Sequence, residues 1–174
     1  MTKSTNSQPA LDRLVAQTTA YIGLGSNLGN RGDNIEKAVN RLEKSPDVTV
    51  IKVSSLIETT SVGGPAGQNC FLNGSAQILC RCMAEHLLSL MQEIEYGLGR
   101  ERTENRTKWA SRTIDLDLLL FGSEIIDLPH LKVPHPLMHT RMFIMEPMAE
   151  IAPEVLHPRL NQTMRQILNS LKNN

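Results

Sequence analysis

At 174 residues the chain is long enough for one domain with a full hydrophobic core. Its 40% apolar and 21% charged residues mark an ordinary globular protein, and a formal net charge of zero argues against broad attraction to nucleic acid or anionic lipid. Cys70, Cys80 and Cys82 lack metal-type spacing and no apolar run reaches transmembrane length, so a disulfide scaffold, a zinc knuckle and a membrane span are all excluded as expectations.

Residues 1–18 read as a flexible N-terminal extension without a signal-peptide core, with one short helical turn at Leu11–Val15; residues 19–174 read as a single domain. Ala20–Leu24 predicts a short apolar strand, followed by a turn at Gly25-Ser-Asn-Leu-Gly-Asn. Ile35, Ala38, Val39 and Leu42 then recur at helical spacing up to Ser45-Pro46. Val48–Glu58 predicts one strand, 59–69 a glycine-rich loop and Cys70–Leu79 another strand. A second helix is predicted over Ala84–Tyr96, stopped by Gly97 and Gly99. After a charged loop, Thr113–Phe121 is the strongest strand, and Glu124–Asp127 is expected to pair with it. A short helix over Thr140–Ala149 and a last one from Gln162 complete the chain. The order β-α-β-β-α-β with a helical C-terminal addition predicts a ferredoxin-like α+β fold, an antiparallel sheet with helices on one face.

The sharpest chemical signal is Arg112-Thr-Ile-Asp115-Leu-Asp117-Leu-Leu-Leu. Strand alternation sends Ile114, Leu116, Leu118 and Leu120 to one face, and Asp115 and Asp117 to the other, about 7 Å apart. Two carboxylates so placed repel unless cations lie between them. Magnesium takes one or two carboxylates together with phosphate oxygens, and two metals about 4 Å apart would fit between these side chains and a triphosphate. A lone D-x-D is more often the solvated face of an amphipathic strand. Here a basic run, Arg100, Arg102, Arg106, Lys108 and Arg112, leads directly into it and includes the single tryptophan, Trp109. Arginine forks suit phosphate, so the pair of acids and the run of cations together read as a triphosphate site with a loop able to close over it.

Other signals are weaker. Gly23-Leu-Gly25-Ser-Asn-Leu-Gly29 fits neither the dinucleotide fingerprint nor the P-loop and reads as a tight strand-to-helix turn. His135 and His139 have zinc-type spacing, but Pro134 and Pro136 break the helix such a pair would need. A contact to phosphate or ribose is the better reading for His135.

Lys108-Trp-Ala-Ser-Arg112-Thr-Ile-Asp115-Leu-Asp117-Leu-Leu closely resembles the signature of the 6-hydroxymethyl-7,8-dihydropterin pyrophosphokinase family. Tyr21-Ile-Gly-Leu-Gly-Ser-Asn-Leu-Gly, Ser54-Ser, Phe71-Leu-Asn73, Gln92-Glu-Ile-Glu95, Gly99-Arg100, Val133-Pro-His135 and Arg141-Met-Phe143 agree in order, over about residues 19–158. The resemblance implies a ferredoxin-like fold and a magnesium-dependent reaction of ATP with a hydroxymethyl pterin, giving AMP and the pterin pyrophosphate. It implies that Asp115 and Asp117 hold two magnesium ions, with Arg102 and Arg112 assisting catalysis. Gln92, Glu95, Arg102, Lys108, Trp109, Arg112, His135 and Arg141 would surround ATP. Phe71 and Phe143 would sandwich the pterin, while Asn73 and the backbone around Thr59, Thr60 and Val62 read its edge. The partners implied are these small molecules alone, with no nucleic acid and no membrane, for a cytoplasmic monomer. Lys108 stands where arginine is common in the family, and Pro136 replaces an aromatic.

The expected mechanism is in-line attack of the pterin hydroxyl on the β-phosphorus, with Asp117 the best-placed side chain to take a proton. Two rivals are another two-metal phosphotransferase, such as a nucleotidyltransferase, and a non-catalytic ferredoxin-like binding module. The second would want an aromatic-rich RNA-reading strand, which is missing.

Overall fold

The computed structural model describes residues 17–60, 69–100 and 111–173. The central sheet runs in the order β2 (Val48–Val53), β4 (Phe71–Cys80), β1 (Thr18–Ser26), β5 (Asp115–Phe121), with β3 (Ile57–Thr59) also paired to β4. Every pairing in it is antiparallel. Helices α1 (Arg31–Glu43) and α2 (Ala84–Gly97) cover one face, packing Ile35, Ala38, Leu42, Leu87, Met91 and Ile94 against Ile22, Leu24, Ile78, Leu116 and Leu118. The C-terminal addition covers the other face. There α3 (Met142–Ile151) and α4 (Met164–Lys172) bury Ile144, Met145, Met148, Met164 and Ile167 with Tyr21, Leu119 and Leu120. This is the expected α+β architecture, with the added helices forming a second core.

Local chemistry accounts for the helix ends. Asn30 caps α1 by accepting from the Asp33 N–H at 3.3 Å, and Thr163 and Gln166 form a reciprocal capping box at α4. At the end of α2 the Arg100 N–H donates to the Glu95 carbonyl and the Gly99 N–H to the Tyr96 carbonyl, both at 3.0 Å. That is a Schellman stop, and it needs the left-handed φ of +87° that Gly99 supplies.

Several expectations are corrected. The single strand over Val48–Glu58 is two, β2 and β3, because the chain leaves the ladder at Ser54–Leu56. There the Ser54 hydroxyl oxygen accepts from the Ser75 N–H at 2.9 Å. The strand expected from Thr113 begins at Asp115, its predecessors being held instead by the end of β1. The Glu124–Asp127 segment does not join that strand; Ile126–Asp127 (β6) pairs with Lys132–Val133 (β7) after the chain turns away at Gly122, φ +53°. The helix expected over Thr140–Ala149 is a 3-10 turn at Met138–Thr140 followed by α3, separated at Arg141, whose backbone is extended. A small ribbon, Leu156–His157 (β8) with Gln162–Thr163 (β9), was not anticipated.

Leu120 also changes sides. The β1–β5 register shifts between Tyr21 and Ile22, so Leu119 is an extra residue in β5. Such a bulge reverses the alternation. Leu116 and Leu118 therefore face α1 and α2, while Leu119 and Leu120 both join the α3–α4 core.

Candidate active site

The acids of β5 share the α3-side face, two residues apart, upstream of the bulge. Their cross-strand neighbours on β1 are glycines: Gly25 opposite Asp115 and Gly23 opposite Asp117. Across β1, the same Gly25 lies opposite Asn73 of β4. A Cβ on Gly25 would meet the Asn73 Oδ1 at 3.4 Å and the Asp115 Cβ at 3.7 Å. Asp115, Gly25 and Asn73 thus form one row across three strands, with an amide and a carboxylate about 10 Å apart on either side of a bare backbone floor.

Asp115 is half-buried and ion-paired to both Arg100 and Arg112. Arg100 also pairs with Glu95, which is only 1% exposed and whose Oε1 accepts from the Leu116 N–H at 2.7 Å. Burial opposes the charge on Arg100, but Asp115 and Glu95 outweigh it and hold its pKa above the ordinary guanidinium value. Asp117 is more deeply enclosed. Desolvation, then the Asp115 charge, pushes its carboxyl up to about 7, while Arg141 and Arg100 pull it down. Two adjacent carboxylates, one of them unable to ionise easily in the absence of a counter-charge, are the donor set that a hard divalent cation satisfies. Among the described residues no three His, Cys, Asp or Glu side chains converge, so oxygens of a bound substrate would have to complete any coordination sphere.

The loop after β1 holds Arg112 in place. The Asn27 Oδ1 accepts from the Arg112 N–H at 2.6 Å, and the Asn27 N–H donates to the Arg112 carbonyl at 3.0 Å. The Ser26 hydroxyl donates to the Thr113 carbonyl at 2.5 Å. The Ser-Asn pair after Gly25 therefore serves to dock the segment entering β5.

Arg141, the residue before α3, lies 5.6 Å from the Phe143 ring centroid and acts on both Asp117 and His135 through its charge. His135 is half-buried; desolvation first, then Arg141, lowers its pKa, so the ring stays neutral more readily than a free imidazole. Its Nδ1 accepts from the Leu137 N–H at 3.3 Å, which leaves Nε2 to carry the proton. On the far side of the row, the Asn73 amide donates to the Thr59 hydroxyl at 2.7 Å, and Thr59 lies opposite Phe71. Thr60 follows Thr59 and is exposed, Phe71 and Phe143 are half-buried, and Gln92 is half-buried one turn before Glu95.

The described chain thus assembles Glu95, Arg112, Asp115, Asp117, His135 and Arg141 around one floor, with Asn73 and Thr59 at its edge. Val62, Arg102, Lys108 and Trp109 lie outside the described residues. Two contributors escaped the sequence reading. In the sequence Arg100 stands in a basic run and in the family-like Gly99-Arg100 pair with no role attached, whereas the Gly99 stop sends it back over Glu95 and Asp115. Asn27 was read as a turn residue; a buried Asn directly after a strand is the signal that its amide ties down another segment.

Comparison with known proteins adds an independent line. The family described as 7,8-dihydro-6-hydroxymethylpterin-pyrophosphokinase (HPPK) matches residues 21–153. A Bacillus subtilis protein named 2-amino-4-hydroxy-6-hydroxymethyldihydropteridine pyrophosphokinase is 46% identical over 136 residues, 78% of this chain and 79% of its own length. Proteins of the same name from Pseudomonas aeruginosa and Aquifex aeolicus are 40% and 36% identical, covering 79% and 88% of this chain and 83% and 94% of theirs. Among solved structures, Plasmodium falciparum HPPK-DHPS with pterin and p-hydroxybenzoate superposes with a TM-score of 0.68 at 16% identity, over 92% of this chain. The chain spans 44% of that solved chain, and the likeness speaks for the fold alone.

Proposed function

The chain belongs to the 7,8-dihydro-6-hydroxymethylpterin-pyrophosphokinase family and transfers pyrophosphate from ATP to the hydroxymethyl dihydropterin in folate biosynthesis, and we propose that it does so on the floor between Asp115 and Asn73. The observation that carries this assignment is the Asp115–Gly25–Asn73 row. It sets a carboxylate pair suited to the triphosphate about two strand spacings from an amide suited to the edge of a heterocycle. The missing side chain at Gly25 leaves room for the group passing between them.

Asp115 and Asp117 would hold two magnesium ions, whose Lewis acidity neutralises triphosphate charge and lowers the pKa of the attacking hydroxyl. The protein's own groups do the rest. Arg100 and Arg112, already gathered at Asp115, face the transferring phosphates and steady their charge. Glu95 is a positioning group, because from its buried place it aims Arg100 and grips the backbone of β5. Arg141 and neutral His135, with Gln92, complete the ATP side, to which the family resemblance adds Lys108, Trp109 and Arg102. Phe71 and Phe143 stack on the pterin, and Asn73, Thr59, Thr60 and Val62 read its edge.

The hydroxyl oxygen of the pterin attacks the β-phosphorus, the bond from that phosphorus to the α,β-bridging oxygen breaks, and AMP leaves with the bridging oxygen. The hydroxyl proton is released. Incubation with ATP, magnesium and the reduced pterin alcohol should give AMP and pterin pyrophosphate in equal amounts. ADP or free pyrophosphate in place of AMP would overturn the reaction, and full turnover in excess chelator would overturn the magnesium assignment.

No helix among the described residues is long and apolar enough to cross a membrane. A cytoplasmic monomer with one catalytic domain over residues 19–174, preceded by an N-terminal extension at 1–18, completes the proposal.

A further inference from the structure

Between β2 and β3 the chain turns a corner at Ser54–Leu56 that is anchored on two different parts of the molecule. Ser54 binds β4: its N–H donates to the Ser75 carbonyl and its hydroxyl oxygen accepts from the Ser75 N–H, each at 2.9 Å. Leu56 lies over Gly74, where a Cβ would come within 2.7 Å of the leucine Cδ2. Ser55 engages α3 instead. Its N–H at 2.9 Å and its hydroxyl at 3.0 Å both donate to one carboxylate oxygen of Glu150, 95 residues away.

Glu150 follows Phe143 by seven residues, two helical turns, so both lie on one stripe of α3, about 10 Å apart along its axis. That helix packs on β4 and touches β3. Directly after the corner, β3 sets Ile57 opposite Asn73 and Thr59 opposite Phe71, and the Thr59 hydroxyl accepts from the Asn73 amide. Two walls of the pterin site are therefore built on separate elements: Thr59, Phe71 and Asn73 on β3–β4, and Phe143 on α3. The Glu150–Ser55 contact joins them at a distance from the pocket. It is made to two uncharged donors, one of them a backbone N–H at a corner that has left the β-ladder, so its worth lies in direction more than in charge pairing.

We propose that Glu150 is a positioning residue for the pterin, a strut that sets the spacing between the aromatic wall on α3 and the amide-bearing wall on β3–β4. This rests on the pocket assignment above. The test is to measure pterin and ATP dissociation constants, turnover and thermal midpoint for Glu150→Ala, Glu150→Gln, Ser55→Ala and Asn73→Ala. Glu150→Ala should weaken pterin about tenfold, the scale of one charge-assisted hydrogen bond, and leave ATP within about twofold. Glu150→Gln keeps an oxygen that can accept both bonds and should restore pterin affinity to within about threefold of the parent. Ser55→Ala removes one bond of the two and should fall between; it carries the test should Glu150→Ala not fold. Equal loss for both ligands, or no loss in a folded variant while Asn73→Ala still weakens pterin, overturns the strut and leaves the pocket standing. Asn73→Ala with unchanged pterin affinity overturns the pocket, and the strut with it.

Discussion

The two faces of β5 are built for opposite purposes. On the α1–α2 side, Leu116 and Leu118, with Ile114 just ahead of the strand, are each no more than 5% exposed and send their side chains into the apolar core. On the α3 side, the residues between them are Asp115 and Asp117, surrounded by Arg100, Arg112, Arg141 and Glu95. The first face holds the strand in place and the second uses that rigidity. Carboxylates only one pleat apart repel, and a loop would let them separate; a strand clamped from behind by leucines does not. Stability and activity should therefore respond to different substitutions one residue apart.

The sharpest test is Asp117→Ala. Turnover should fall on the order of 10³-fold or more, the rate equivalent of several kcal/mol, with the thermal midpoint not lowered. Near-normal AMP release at saturating magnesium would break the division of labour. Its neighbour should do the reverse. Leu116→Ala should cost about 3 kcal/mol in denaturant unfolding, from lost burial plus a cavity, while the protein that remains folded keeps most of its kcat. Arg112→Ala should lower kcat about 10²-fold, on the scale of one preorganised donor, and an unchanged kcat would remove it from the transition-state shell.

A subtler effect is on stability against pH. The Asp117 carboxyl is pushed up to about 7 in the folded protein from 3.8 as an ordinary aspartate. The native state therefore holds a proton that the unfolded chain has lost, and this residue's contribution to stability falls as pH rises from about 4 to about 7. Asp117→Asn should remove that decline, so thermal midpoints of parent and variant should diverge in the variant's favour as pH increases, and added magnesium should narrow the gap. Parallel curves would mean the carboxyl is not held protonated. The smallest change expected is from Gly99→Ala. It should cost about 1 kcal/mol at the left-handed position and lower kcat several-fold by shifting Arg100.

How much of this was legible in the sequence follows from what kind of signal each feature leaves. The order of strands and helices and the shared face of Asp115 and Asp117 are periodicity, which local residues set. The break at Ser54–Leu56 was not legible, because it depends on Ser75 and Glu150, far away in the chain. Nor was the partner of β6, which a turn at Gly122 decides. The pairing of Arg100 with Asp115 needs the fold of α2 against β5, though its cause, a glycine one position beyond the last helical turn, was in plain view. Glu95, named through family resemblance as part of the ATP surround, is buried and holds the β5 backbone, a place that only the fold reveals.

The extra leucine in β5 has one more consequence. Because the strand hands its side chains over at Leu119, one short segment supplies acids and then aliphatics to the same direction in space, and the chemistry ends where the greasy packing begins. Deleting that single residue would restore plain alternation: both acids, Leu120 and Phe121 would keep their layers, and only the aliphatic that Leu119 adds to the α3–α4 core would be lost. A frame-preserving loss of three nucleotides there would be felt as a less stable protein, short of one buried leucine, rather than as a slow enzyme.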